Sequence, residues 1–189
     1  MPFSHSGQIT AIVRFAERLQ PKSVLDVGTG MGQYGFLLRT NLEHLHLFEI
    51  DGSLGRQRPR EQWDIRIDGI EGFAGYRTPV HDYAYTQMFF GEALQILRAL
   101  PTASYELVMA IDILEHFDTP DGEAFAHECQ RVSGRAALLS TPKDFVEQHV
   151  VANPLEDHRS VWTREQLAAL GYSHVTADAE SWIVSTQPV

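Results

Sequence analysis

The residues best suited to chemistry lie in the octapeptide IDILEHFD, residues 111–118, directly after the apolar run YELVMA. Asp112, Glu115 and His116 stand at positions i, i+3 and i+4, which share one face if the chain turns helically there. In open α/β sheets the carboxyl end of a parallel strand borders the ligand crevice. We therefore expect these three side chains to bind a divalent metal, or to present His116 as a general base held by a carboxylate.

A glycine-rich turn, SVLDVGTGMG, forms the second candidate site. Gly28, Gly30 and Gly32 follow the pattern G-x-G-x-G, whereas the dinucleotide fingerprint would require glycine where Gln33 stands. This difference disfavours a nicotinamide or flavin site. Asp26 ends the preceding strand and would repel a phosphate, so the turn suits a cationic sulfonium amino acid.

The helices and strands predicted around these residues indicate an α/β fold. Apolar strand candidates separated by helix-like segments predict a Rossmann-like, mostly parallel sheet of about seven strands, with helices on both faces and an antiparallel last strand. Helices are predicted over residues 8–19, with Ser4 or Ser6 as N-cap, over 33–45, and from Thr163 to Gly171. The strand candidates are SVLDV, DIRIDGIEGF, QMFFGEALQILRAL, YELVMAIDIL, AALLSTP, SHVTADAE and SWIVSTQ.

Two polar segments interrupt this pattern. Residues 45–63 read as an irregular insertion in which HLHLFEI is a candidate extra strand, and its arginine run LGRQRPR reads as a solvated loop. Residues 143–160 are a candidate lid, because apolar side chains in a proline-containing loop need something to cover. His149 lies in this segment. We expect His81 in TPVHDYAY to be a solvent-facing loop residue, and a position in the crevice after the second strand is the alternative.

Composition predicts one domain over residues 1–189, with 43% apolar and 21% charged residues. The formal charge of -10 argues against a broad nucleic-acid surface, which needs concentrated basic residues. The single Cys129 permits neither an intramolecular disulfide nor a thiolate zinc cluster, which is typical of reducing compartments. No targeting signal or membrane-spanning apolar run is visible, so we expect a cytoplasmic protein that binds no membrane.

Together the motifs resemble the class I S-adenosylmethionine-dependent methyltransferases over nearly the whole chain. The resemblance is carried by VLDVGTGMG, an acid ending the second strand, GEA after the third strand, and YELVMAIDILEH as the fourth strand and its exit. It implies S-adenosyl-L-methionine as cofactor. The implied cofactor-binding residues include Asp26, Gly28, Gly30, Gly32 and Asp112.

The same resemblance implies an acid that binds the ribose hydroxyls. Strand alternation in DIRIDGIE favours Glu71, while Glu49 or Asp51 in LFEIDG remains the alternative. Glu92 in FFGEAL matches the acid that accepts a hydrogen bond from the adenine amine. Its competing interpretation is an exposed carboxylate stabilised by the helix dipole.

The IDILEHFD segment resembles the E-x-x-E-H metal motif of two methyltransferase groups, with Asp112 in place of the first glutamate. These are the small-RNA terminal 2′-O-methyltransferases and the ubiquinone-biosynthesis O-methyltransferases. Similarity of DHRSVWTREQ to the downstream part of the RNA enzymes implies His158 as a further ligand, which gives the set Asp112, Glu115, His116 and His158. Mixed carboxylate and imidazole ligation suits Mg²⁺, Mn²⁺ or Fe²⁺, with a preference for Mn²⁺ or Fe²⁺.

We therefore expect methylation of a hydroxyl on a small metabolite, such as a vicinal diol, sugar or catechol, assisted by a metal that lowers the hydroxyl pKa. Alternatives are a metal-free enzyme with His116 and Asp112 as catalytic residues, and an RNA 2′-O-methyltransferase. A cofactor-binding sensor or partner subunit is the non-enzyme alternative. A dehydrogenase remains open if nicotinamide binds. The sequence leaves the acceptor and the oligomeric state open.

Overall fold

The computed structural model describes residues 4, 6–44 and 46–188, apart from the side chain of Asp51. Seven strands of this part of the chain form one sheet, and two form a separate hairpin. In chain order the strands are β1 (Ser23–Val27), β2 (Phe48–Asp51), β3 (Leu54–Gln57), β4 (Arg66–Glu71), β5 (Gln87–Phe90), β6 (Tyr105–Ile111), β7 (Ser133–Pro142), β8 (His174–Thr176) and β9 (Ser181–Ser185).

The large sheet has the order β5-β4-β1-β6-β7-β9-β8. Strands β5, β4, β1, β6 and β7 pair in parallel, and β9 pairs antiparallel with both β7 and β8. This confirms the predicted mostly parallel sheet with antiparallel pairing at its end. The central strands β1 and β6 are buried on both faces, which explains why they read as continuous apolar runs.

Six helices cover the two faces of the sheet within the described residues. They are α1 (Ile9–Leu19), α2 (Gln33–Leu42), α3 (Pro79–Ala84), α4 (Ala93–Ala99), α5 (Thr119–Val132) and α6 (Arg164–Ala169). One core cluster joins α1, α2 and α3 to the sheet, for example through Ile12 and Leu38. A second cluster joins α4, α5 and α6 to the opposite face through Leu97, Phe125 and Leu167.

The ends of two helices test the predicted caps. Thr163 caps α6 as predicted: its hydroxyl accepts from the Gln166 amide at 3.2 Å, and Gly171 follows with a positive φ of 93°. The prediction of Ser4 or Ser6 as N-cap of α1 is wrong. A 3₁₀ turn, Ser6–Gln8, precedes α1, and Gln8 in the cap position uses its side chain elsewhere in the fold.

The predicted insertion contains an antiparallel hairpin, β2 and β3, that stands apart from the main sheet. Its arginines find partners nearby. Arg56 binds Glu49 across the hairpin at 2.6 Å, and Arg60 donates to the backbone carbonyls of Asp82 and Tyr85. The insertion is therefore ordered by local contacts, and Leu45 lies outside the described residues.

The described helices include none that combines the length and the apolar character needed to cross a lipid bilayer.

Candidate functional site

A cavity of about 930 Å³ opens at the carboxyl ends of the central strands. Its wall includes residues that follow β1, β4 and β6, as well as parts of α4 and the segment after β7. The chain turns to opposite sides of β1 at this point, and open α/β sheets bind ligands where such a reversal occurs. The volume matches that of pockets for small organic molecules.

The glycine turn between β1 and α2 borders the cavity. Gly28, Gly30 and Gly32 all have positive φ, from 54° to 90°, which side-chain-bearing residues rarely adopt. A Cβ on Gly28 would lie 2.8 Å from Ile113 Cδ1, so a side chain there would displace Ile113 in addition to straining the backbone. Gly28 and Gly30 line the cavity, whereas Gly32 is the N-cap of α2.

Asp26 lies beneath this turn, and the structure does not bring it to the cavity wall. Its carboxylate is buried and accepts a hydrogen bond of 2.6 Å from the Tyr85 hydroxyl, which in turn accepts from the Gly35 amide at 3.2 Å. Burial raises the pKa of Asp26 to about 6. In this arrangement Asp26 joins β1 to the start of α2, and its charge is not presented to a ligand.

Glu71 occupies the end of β4, the parallel neighbour of β1, and lines the cavity. It accepts from the backbone amides of Gly30 at 2.8 Å and Phe73 at 2.9 Å. Burial raises the pKa of Glu71, although these hydrogen bonds act to lower it. Of the alternatives, Glu49 pairs with Arg56 in the hairpin and is absent from the described wall, and the side chain of Asp51 lies outside the described residues.

Glu92 also lies on the wall, as the exposed N-cap residue of α4. Its side chain makes no capping hydrogen bond to the described helix.

Asp112 follows β6 with a positive φ of 51°, an uncommon conformation for a residue other than glycine. Its two carboxylate oxygens are both engaged: Gln8 Nε2 donates to one at 2.5 Å, and the Ser140 hydroxyl donates to the other at 2.6 Å. Gln8 is completely buried. Asp112 lies on the cavity wall, held towards α1 and β7.

The predicted metal ligands converge only in part. Glu115, His116 and His158 each offer a donor atom, and these atoms lie within 4.8 Å of one another; Asp112 does not belong to this cluster among the described residues. Glu115 is buried and accepts from the Thr141 hydroxyl at 3.0 Å. Burial and then the charge of Asp112 raise the pKa of Glu115 to about 8.

Both imidazoles of the cluster are oriented by backbone carbonyls. His116 Nδ1 lies 3.2 Å from the Asp157 carbonyl, and His158 Nδ1 lies 2.6 Å from the Val146 carbonyl. A carbonyl only accepts, so each Nδ1 carries a proton and donates it, and Nε2 is the ring nitrogen that these carbonyls leave unused. Burial lowers the pKa of His116, which favours the neutral form that a ligand or base requires.

The segment of residues 143–160 carries His158 to this position. Backbone amides of Arg159 and Ser160 donate to the Glu115 carbonyl at 2.8 and 3.1 Å. On the other side of the cavity, Asn153 Nδ2 donates to the Tyr76 hydroxyl at 3.3 Å. His149 binds the Asp157 carboxylate at 2.9 Å and is not part of the three-residue cluster.

Comparison with known proteins rests on three-dimensional structure, because no protein-family model and no curated sequence matches the chain. An S-adenosylmethionine-dependent methyltransferase from Archaeoglobus fulgidus superposes with a TM-score of 0.59 at 16% identity, over 89% of this chain and 69% of the other. The N-terminal domain of EvdMO1, solved in the presence of S-adenosylhomocysteine and D-fucose, superposes with a TM-score of 0.59 at 16% identity, over 97% of this chain and 82% of the other. The methyltransferase domain of bacterial CtHen1 superposes with a TM-score of 0.59 at 16% identity, over 95% of this chain and 96% of the other.

The chain has the class I S-adenosylmethionine-dependent methyltransferase fold.

In this methyltransferase fold, the prediction for His81 is wrong. His81 lies in α3 and is almost fully buried, with Nδ1 accepting from the Thr78 amide at 3.0 Å and Nε2 lying 3.1 Å from Thr29 Oγ1. The signal in the sequence was the pair Thr78-Pro79, a strong helix start that would have placed His81 in the first turn.

Several side chains that hydrogen-bond to the predicted site residues were also missed in the sequence analysis. Gln8 and Ser140 bind Asp112, Tyr85 binds Asp26, and Thr29 lies between His81 and Glu71. Their roles arise from contacts between distant parts of the methyltransferase fold, and no local pattern marks them.

Proposed function

We propose that this protein is an S-adenosylmethionine-dependent methyltransferase that methylates a hydroxyl of a small vicinal diol, such as a sugar or catechol, with the help of a divalent metal. The observation that carries the proposal is the cluster of Glu115, His116 and His158 on the wall of the cavity that the glycine turn and Glu71 also line. Cofactor and acceptor would thereby share one enclosed volume.

The wall offers groups that suit the cofactor. Glu71 ends the strand beside β1 and has carboxylate lone pairs for ribose hydroxyls, while Glu92 at the start of α4 can accept from the adenine amine. Gly28 and Gly30 allow close approach of the backbone. When bound, S-adenosylmethionine supplies the methyl group. The chain's part is to orient the acceptor oxygen, because alignment of the reacting atoms provides much of the rate.

The donor set of the cluster suits a metal. Two imidazoles and one carboxyl group form a mixed N/O set, and each imidazole is fixed by a carbonyl at Nδ1, as metal ligands usually are. This set favours Mn²⁺ or Fe²⁺ over Mg²⁺. Three protein ligands leave positions open for an acceptor. A cation held there would supply Lewis acidity, which lowers the pKa of a nearby alcohol.

A second candidate is the same transfer without a metal. His116 supports it, because burial keeps its imidazole neutral and the Asp157 carbonyl fixes the proton on Nδ1. Nε2 would then accept the hydroxyl proton as a general base. The net charge of -10 gives little support to an RNA acceptor, which would need a basic surface for its phosphates.

The test is calorimetry on chelator-treated protein, first with S-adenosylmethionine and then with Mn²⁺, followed by methyl transfer to a panel of catechols and sugars. We expect cofactor binding without metal, one equivalent of Mn²⁺, and methylation that requires both. Cofactor binding with metal-independent methylation would favour His116 as base. Absence of cofactor binding would refute the methyltransferase proposal.

A further inference from the structure

Helix α3 packs beneath the glycine turn and presents two stacked rings to it. His81 and Tyr85, one helical turn apart, have ring centroids 5.4 Å apart at an interplanar angle of 20°. Tyr85 binds Asp26, whereas His81 binds Thr29 within the turn. Both rings are buried, so neither contacts a ligand directly.

The donor and the acceptor can be assigned in each hydrogen bond of the His81 ring. The Thr78 backbone amide can only donate, so His81 Nδ1 is the acceptor and the ring proton lies on Nε2. Nε2 therefore donates to Thr29 Oγ1, at 3.1 Å. The Thr29 hydroxyl proton is then directed to its other neighbour, the Glu71 Oε2 atom at 3.4 Å.

Packing fixes Thr29 in the orientation that this chain of hydrogen bonds needs. Its methyl group faces Gly69 so closely that a Cβ at that position would lie 2.7 Å from Thr29 Cγ2. The Thr29 amide donates to the Ile70 carbonyl at 3.1 Å. The hydroxyl is therefore turned towards His81 and Glu71, with little freedom to bond elsewhere.

We propose that His81 is a positioning residue for the cofactor: acting through Thr29, it assists the two backbone amides that bind Glu71 in holding this carboxylate in the orientation that accepts hydrogen bonds from the ribose hydroxyls. This inference rests on the proposed function, because it assigns the ribose to Glu71. It predicts that the loss of His81 weakens only ligands that carry those hydroxyls. A purely structural role of His81 would weaken every adenosine ligand alike.

Two amide substitutions separate these roles. In His81→Asn the side-chain oxygen takes the place of Nδ1 and keeps the bond from Thr78, but the side chain is too short to reach Thr29. In His81→Gln the longer side chain places its amide nitrogen near the position of Nε2, from which it can donate to Thr29. The pair thus differs mainly in the contact to the glycine turn.

The measurement is calorimetric titration with S-adenosylhomocysteine and with its analogue lacking both ribose hydroxyls. We expect His81→Asn to weaken S-adenosylhomocysteine by about fivefold or more, the worth of roughly one hydrogen bond, and to leave the analogue within about twofold. His81→Gln should restore most of the loss. In a Thr29→Val background, where the hydrogen bonds of Thr29 to His81 and Glu71 are already lost, His81→Asn should add no further loss of affinity.

Equal weakening of both ligands by His81→Asn, or no weakening of either, would overturn the inference while leaving the proposed function intact. If the unsubstituted protein binds neither ligand, the proposed function fails first and the inference with it. Thermal unfolding of each variant identifies a folding defect, which would weaken both ligands and therefore count against the positioning role.

Discussion

At the scale of single residues, His158 contributes to a cluster whose other members come from a different part of the chain. We predict that His158→Ala lowers Mn²⁺ affinity by about tenfold or more, because one of the three proposed ligand atoms is lost. The exposed His127 on α5 provides the matched control, and His127→Ala should leave Mn²⁺ binding unchanged. Calorimetry on chelator-treated protein measures both; equal affinities for the two variants would remove His158 from the site.

Asp112 offers a second residue-scale prediction, since its oxygens are bonded to Gln8 and Ser140. Asp112→Asn should weaken Mn²⁺ by less than about tenfold, whereas Glu115→Gln, which alters a member of the cluster, should weaken it by more. The same titrations distinguish the two substitutions. A loss in Asp112→Asn as large as that in Glu115→Gln would restore the four-ligand set that the sequence predicted.

The buried carboxyl of Asp26 makes a prediction for stability. Its pKa is raised from 3.8 to about 6 by burial, so the folded state binds a proton more tightly than the unfolded state does. The ionised group is therefore destabilising, with no penalty below its ordinary pKa and the full penalty above about pH 6. Asp26→Asn removes this penalty and still accepts from Tyr85.

Urea unfolding of the Asp26→Asn variant is expected to show a gain of up to about 3 kcal/mol at about pH 7.5 and a gain roughly half as large at about pH 5. A gain that does not depend on pH would show that the pKa of Asp26 is not raised in the folded protein. A loss of stability would mean that the charged hydrogen bond from Tyr85 outweighs desolvation.

At the scale of elements, the segment of residues 143–160 is anchored at two places on opposite sides of the cavity. Arg159 and Ser160 bind the carbonyl of Glu115, and Asn153 binds Tyr76. A metal that links His158 to Glu115 would add a third anchor. We predict that Mn²⁺ slows amide hydrogen exchange throughout residues 146–158, because local opening would then require loss of the metal.

Hydrogen exchange followed by mass spectrometry tests this prediction, with the buried part of α5 as the internal reference. In His158→Ala the effect of Mn²⁺ on residues 146–158 should disappear. Slowed exchange in that variant would mean that the metal acts on the segment by another route.

Strands and helices differed in how far the sequence predicted them. Glu71 was favoured over Glu49 because alternation marks β4, and β4 indeed pairs with β1 while β2 forms a separate hairpin. His81 was misplaced because α3 has only six residues, too few to show a helical repeat. The cap at Thr163 was found because capping depends on neighbours in sequence.

At the scale of the whole molecule, the mostly parallel sheet and its two helical layers follow from patterns that repeat along the chain, and these were predicted. The spacing of Glu115 and His116 placed them on one face, but the addition of His158 was expected only through resemblance, since it depends on how residues 143–160 fold back over the sheet. The hydrogen bond by which Gln8 holds Asp112 apart from the three-residue cluster could not be predicted. It requires α1 and the end of β6 to meet, a contact between residues that lie far apart in the sequence.

The position of β9 has a consequence for synthesis. This strand is made after β8, yet it lies between β7 and β8 and supplies the only described pairing by which β8 joins the sheet. A nascent chain that ends before Ser181 therefore leaves one side of β7 unpaired and β8 without a partner. Such an edge is open to pairing with other chains, so we expect interrupted translation products to aggregate unless chaperones hold them until β9 emerges.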